Sequence, residues 1–313
     1  MRGIDLKIGF ACNNDCVHCV AADKRSFGNL SLQEIKREID FHKTDEESIL
    51  IITGGEPTIR KELPDIIQYA KAANIEWIEL QTNGRRLEDA EFVQRLREAG
   101  LTSSLVALHS HNSKVHDSIT QREGSLSETI AGINNLIDNG VEVRTNTVIS
   151  RLNVDHLDEL ASFMVEEIPG LSAAQLTFPH PNGNAYRNFD QVVPRLTESY
   201  QKIIAAIKIA LRGDLWIMVE AVPFCFLPGF ERHSIDIEHL ERIVGTDLGS
   251  GVEYGRILDY RLLLKSDKRK SRRCRECCLD PICEGVWKEY AEKYSTDELT
   301  PVEGLDPAYI LGG

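Results

Sequence analysis

Six times between residues 4 and 211 a short apolar run gives way to a longer stretch of helical periodicity. That alternation constrains the fold more than any other feature. The apolar runs are 4–10, 48–53, 75–81, 103–108, 141–149 and 173–178, each too short for a stable helix. Continuous runs of this length fit strands of a parallel sheet buried on both faces. Helices are expected over 31–43, 62–73, 87–99, 125–139, 154–167 and 194–211. Ser31 with Glu34, and Ser125 with Glu128, have the spacing of capping boxes, and Gly100 stands where a helix C-cap belongs.

Six βα units in succession imply an α/β fold whose parallel sheet curves into a full or partial (β/α)6 barrel like that of triosephosphate isomerase (TIM-like). Polar and glycine-rich residues gather after the strands, in Gly54-Gly55-Glu56-Pro57, Thr82-Asn83-Gly84, His109-Ser110-His111 and Pro179-His180-Pro181-Asn182-Gly183. Barrels of this class place their active sites at those strand ends. An open doubly wound sheet is the competitor, but no G-x-G-x-x-G follows the first strand. The 313 residues allow one substantial domain and a smaller second one. Beyond Leu215 the pattern changes: 215–222 is strand-like, 223–229 is turn-rich, and late cysteines follow. A boundary near Gly213 divides the chain into 1–213 and 214–313.

Where a nucleotide-binding loop would stand, the first strand leads into Cys12-Asn13-Asn14-Asp15-Cys16-Val17-His18-Cys19. The C-x3-C-x2-C spacing lets three thiolates converge on one centre and supplies three ligands, not four. An open fourth position is what chemistry at a metal requires. A disulfide with a spare thiol and half of a zinc site are the plainer alternatives, although zinc ribbons favour paired C-x2-C motifs. The eight cysteines fall into two groups, Cys12, Cys16 and Cys19, then Cys225, Cys274, Cys277, Cys278 and Cys283. Clustering of this kind, without a signal peptide, favours metal ligands in a cytoplasmic protein. No run reaches the ~18 apolar residues of a membrane helix. A net charge of −13 argues against a nucleic-acid partner. The local exception is 265–275 (KSDKRKSRRCR), with seven basic residues and one acid, a solvated loop or a dock for an acidic substrate segment.

The cysteine loop after strand one, together with the GGEP sequence ending strand two, resembles the radical S-adenosylmethionine (SAM) enzymes over residues 4–212. The resemblance implies that Cys12, Cys16 and Cys19 hold a [4Fe–4S] cluster and that SAM chelates its open iron. It further implies that the backbone of Gly54, Gly55 and Glu56 receives the methionine ammonium. Thr82, Asn83 and Asn146 are placed to reach the carboxylate or ribose, and His109 and Ser110 to contact SAM or substrate. The position before the last cysteine is often aromatic in that family; here it is His18.

The spacing Cys274-x2-Cys277-x5-Cys283 resembles the auxiliary-cluster extensions called SPASM and twitch domains. The longer SPASM pattern would continue with a cysteine at 287, which is Trp287. The resemblance therefore implies the shorter twitch-like type, a small C-terminal domain with one auxiliary [4Fe–4S] cluster on Cys225, Cys274, Cys277 and Cys283. Cys278 is left over or substitutes, and zinc on the same four thiolates is the alternative. Enzymes with this architecture mostly oxidise, which implies maturation of a ribosomally made peptide through a thioether or carbon–carbon crosslink. Oxidation or rearrangement of a small metabolite or cofactor precursor is the alternative; a non-catalytic scaffold fits the motifs poorly. Expected partners are the peptide or small-molecule substrate and an electron donor such as flavodoxin or ferredoxin. With eleven residues before Cys12, a separate leader-peptide-binding protein is expected, or docking on 265–275. For proton chemistry the candidates are His111, His116, His180 and Tyr186, with His180 and Asn182 at the mouth of strand six.

Overall fold

A computed structural model describes residues 2–43, 48–236, 251–253, 256–258 and 266–311. Seven parallel strands form the main sheet in chain order: β1 (Arg2–Lys7), β2 (Ser48–Thr53), β3 (Trp77–Thr82), β4 (Ser103–Ala107), β5 (Glu142–Val148), β6 (Ala173–Thr177) and β7 (Trp216–Glu220). Each pairs in parallel with the next, as right-handed βα connections require. Beyond β1 lie β8 (Gly251–Glu253), parallel to it, and β9 (Arg256–Leu258), antiparallel to β8. The series therefore runs one strand past six units. The strand after Gly213 is β7, which joins β6 and continues the barrel wall.

The intervening helices are α1 (Leu32–His42), α2 (Leu63–Ala72), α3 (Ala90–Ala99), α4 (Ser113–Thr120), α5 (Ser125–Asp138), α6 (Leu157–Glu167), two single turns α7 (Asn184–Arg187) and α8 (Phe189–Val192), and α9 (Leu196–Arg212). The capping box at Ser31 forms as expected, with Ser31 and Glu34 bonded reciprocally. The one at Ser125 does not. Gly124 is the N-cap, and the Ser125 hydroxyl donates to Asp117, whose carboxylate also accepts the amides of Gly124 and Leu126. The unforeseen helix α4 brings Asp117 there and takes over the capping role.

The strands are not buried alike on both faces. Ile4, Leu6, Leu50, Ile52, Ile78, Leu80 and Val143 pack outward under the helices. The alternate positions line a polar interior. Glu79 and Arg144 pair across it, Gln175 Nε2 donates to Glu220 Oε2 at 2.8 Å, and the Thr177 hydroxyl lies 2.8 Å from Asn146 Oδ1. A partial barrel leaves room inside for something other than its own side chains, and such an interior stays polar.

The C-terminal part returns to the barrel through β10 (Lys268–Arg269), antiparallel to β11 (Val286–Trp287), then α10 (Lys288–Tyr294) and a last turn, α11 (Pro307–Ile310). Tyr290, fully buried, anchors it: its ring meets Phe178 edge-on and its hydroxyl accepts the Leu196 amide at 2.8 Å.

Candidate functional site

The cysteine loop follows β1 and is clamped by groups from four segments of the chain. Asp15 and Val17 donate backbone bonds to Thr120 and Ile119 at the end of α4. Asn184 donates through its side chain to Cys16 O, and Asn188 to Val17 O, both at 3.0 Å. Arg85 and Arg122 donate to Asn13 O at 2.8 and 2.9 Å, and Arg25 to Asn14 O at 2.8 Å. Apart from Arg25, these clamps carry no local motif, because they come from the segments after β3, β4 and β6.

On the β2 side the backbones come closer than side chains permit. Gly55 and Glu56 amides donate to Gly9 O and Ala11 O at 2.8 and 2.9 Å. A Cβ at Gly55 would stand 2.3 Å from Ala11 O, and one at Gly54, where φ is 141°, 2.1 Å from Gly9 O. Only glycine permits this approach. Among the described residues, the carbonyls of Gly54 and Gly55 accept no hydrogen bond. They are acceptors suited to an ammonium group.

The Glu56 side chain is 2 % exposed and fully engaged. Oε1 accepts from the Thr58 amide, the Thr58 hydroxyl and the Thr82 hydroxyl at 3.0, 2.6 and 2.7 Å, and Oε2 from the Asn83 amide at 2.7 Å. Burial pushes its pKa up while these donors oppose the rise. Thr82 and Asn83 thus serve the loop network first: Asn83 Nδ2 donates to Asn13 Oδ1 at 2.7 Å and lies 3.9 Å from Cys12 Sγ.

His109 lies in a buried row of imidazoles beneath the loop. It meets His18 edge-on at 4.6 Å and stacks on His116 at 5.7 Å. Burial holds His109 well below the usual histidine range, and lowers His18 and His116 to about 4, so all three are neutral. Side-chain donor atoms of Cys16, His18 and His109 lie within 4.8 Å of one another. Ser110 accepts the Asn112 amide at 3.1 Å, and His111 pairs with Glu159 at 3.2 Å. Tyr186 and Asn182 are exposed.

Burial raises the pKa of Cys12 and of Cys16, and the neighbouring thiols raise both further. Buried thiols such as Cys12 and Cys16 that resist ionisation alone are donors a cationic metal centre stabilises. The donors fit an iron–sulfur cluster with one open iron.

The late cysteines also converge. Cys225, on the turn after β7, joins Cys274, Cys277 and Cys283 around one small cavity closed by Pro223, Phe224 and Leu279. Burial first, then the neighbouring thiols, push Cys225 up to about 12. Backbone amides point at the sulfurs, Val302 to Cys277 at 3.3 Å and Thr300 to Cys225. Cys278 does not line the cavity; it packs beside the small apolar group of Phe224, Leu279, Ile282 and Ile310.

His180 reaches this part from the barrel mouth. Its ring stacks on Trp287 at 3.8 Å, nearly parallel, and Lys268 Nζ lies 3.6 Å from the centre of the Trp287 ring. Burial, then the Lys268 charge, lower His180 to about 4. Glu220, at the end of β7 opposite Asn146, is a polar group of the interior that sequence reasoning missed. Its signal was an apolar strand-like run closing on an acid, 216–220, hidden because that strand was separated from the series. Within 265–275, Lys265 lies outside the described residues.

A family model described as the radical SAM superfamily matches residues 6–164. The AdoMet-dependent heme synthase of Methanosarcina barkeri is 31% identical over 205 residues, covering 65% of this chain and 56% of that protein. The mycofactocin maturase MftC of Mycolicibacterium smegmatis is 29% identical over 224 residues, covering 68% of this chain and 56% of that protein. The chain thus spans about half the length of the curated relatives it matches. Among solved structures, Streptococcus suis SuiB bound to its precursor peptide SuiA superposes with a TM-score of 0.65 at 16% identity, over 96% of this chain and 75% of that one. No helix among the described residues is long and apolar enough to cross a membrane.

Proposed function

The chain belongs to the radical SAM superfamily, and on that premise we propose that it matures a ribosomally made peptide by oxidation, forming a thioether or carbon–carbon crosslink. Cys12, Cys16 and Cys19 would hold the [4Fe–4S] cluster, and Cys225, Cys274, Cys277 and Cys283 an auxiliary one. When bound, cluster and SAM supply one-electron cleavage of the sulfonium and hydrogen abstraction from an unactivated C–H bond. The chain's own residues then position and shield. The Gly54 and Gly55 carbonyls receive the methionine ammonium, and the clamps from Arg25, Arg85, Arg122 and Asn184 fix the thiols.

The observation that carries the oxidative reading is the second set of four thiols around one cavity, with amides aimed at the sulfurs. A group with all four positions filled is suited to holding an electron rather than to opening for SAM. Peptides enter by likeness: MftC is named a maturase and SuiB carries its precursor peptide. Substrate would enter at the polar interior, near Asn146, Thr177 and Glu220. An electron donor of the flavodoxin or ferredoxin class and a separate leader-binding protein complete the expected partners. Oxidation of a small cofactor precursor is the second reading, favoured by the likeness to the heme synthase.

Anaerobic reconstitution followed by iron and sulfide counting tests the cluster assignments. Wild type is expected to hold about eight irons, and a Cys12/Cys16/Cys19→Ala variant about four. A fall from about four to none would remove the auxiliary cluster and the oxidative reading with it.

A further inference from the structure

The basic stretch at the C-terminal thiols divides into two kinds of cation. Lys268 pairs with Glu284 at 3.4 Å, Lys270 with Asp280 at 2.9 Å, and Lys288 with Asp267 at 2.7 Å. These charges are spent on holding the ribbon together. Arg272, Arg273 and Arg275 are different. All three are exposed, lie on the single turn Arg272–Glu276, and have no side-chain partner among the described residues. Glu276 is the one acid on that turn.

The same turn carries Cys274, less deeply buried than Cys225 or Cys283. The free arginines therefore flank Cys274, one of the shallower thiols of the set, on the turn that carries it. We propose that this turn is the docking surface for an acidic one-electron carrier protein, which exchanges electrons with the auxiliary cluster there. The proposal rests on the auxiliary-cluster reading above.

Three features support this reading, the first selecting a carrier and the other two an acidic partner. Electron transfer weakens steeply with distance, so a carrier must approach a cluster where its ligands are least covered, and the arginines flank Cys274, which is less buried than Cys225 or Cys283. Guanidinium forks pair well with carboxylates and lose little in hydration when they do. The rest of the chain is strongly acidic, at −13 overall, so an acidic carrier is repelled elsewhere and steered to this turn. The exchange is balanced: one electron leaves the protein and one reduces the carrier, or the reverse.

The test titrates an acidic flavodoxin into reconstituted protein and follows flavin fluorescence, with iron counted on the same samples. The R272E/R273E/R275E variant is expected to bind at least about tenfold more weakly than wild type, with a flattened salt dependence. The control R37E/R95E/R212E, three exposed arginines on α1, α3 and α9, is expected to bind like wild type. Equal binding by the first variant, or an equal loss in the control, overturns the docking surface while leaving the clusters in place. Arginine-dependent binding of hexaglutamate without binding of flavodoxin overturns it in favour of a peptide dock. Wild type with iron at the N-terminal loop alone overturns the auxiliary-cluster reading and the electron exchange with it.

Discussion

The two thiol groups of this molecule are built by opposite means. The N-terminal three sit in eight consecutive residues, so chain proximity brings them together, and polar side chains from distant loops hold them. The C-terminal four are gathered from residues 225 to 283, around a small apolar group and a two-stranded ribbon. The first arrangement supplies three donors from one loop. The second surrounds its cavity. A site meant to take up a ligand at the metal needs rigid support outside the donor set, whereas a closed site can draw its order from the metal itself.

Removing the hub of the first network tests that contrast most severely. Glu56→Ala strands the amides of Thr58 and Asn83 and is expected to cost about 2–4 kcal/mol in urea unfolding of the metal-free protein. Iron at the N-terminal loop should fall with it, while the C-terminal iron remains. Loss of both together would mean that the two regions are one cooperative unit.

The junction between the regions gives a smaller, pH-dependent effect. His180 titrates at about 4 in the folded protein, below the usual value of about 6.5 for a free histidine. The folded state then binds fewer protons than the unfolded one between these values. Stability from this group is complete above pH ~6.5 and is lost as pH falls toward ~4, by about 1–2 kcal/mol after allowing for partial exposure. His180→Asn should flatten that stretch of the stability curve, read by thermal unfolding from pH 4 to 7. An unchanged curve would detach His180 from the junction's energetics.

The smallest effect is expected at Cys278. Because it packs beside the apolar group and does not line the cavity, Cys278→Ala should cost under about 1 kcal/mol and leave the iron count unchanged. A drop of about four irons would make it a ligand and redraw the C-terminal set.

Much of this was legible in the chain. Short apolar runs alternating with helical stretches specify parallel strands under helices, because each element must bury one face against the other layer. The cysteine spacing and the GGEP turn were legible for a related reason. Both are local, and Gly54 and Gly55 are demanded by backbone contact that no other residue allows. Capping at Ser31 was equally local and formed as expected; that at Ser125 failed once α4 offered Asp117 as a competing acceptor.

Tertiary structure decided the rest. Whether the strand at 216–220 closed the barrel or opened a new unit depended on pairing with β6, for which one strand's sequence carries no sign. Packing beneath the cysteine loop, which no local pattern announces, put His109 among His18 and His116. The clamps from Arg85, Arg122 and Asn184, and the stack of His180 on Trp287, join residues far apart in the chain. Sequence determined the pieces whose partners are their neighbours, and only folding selected partners across the barrel, where many polar side chains of similar chemistry compete for the same acceptors.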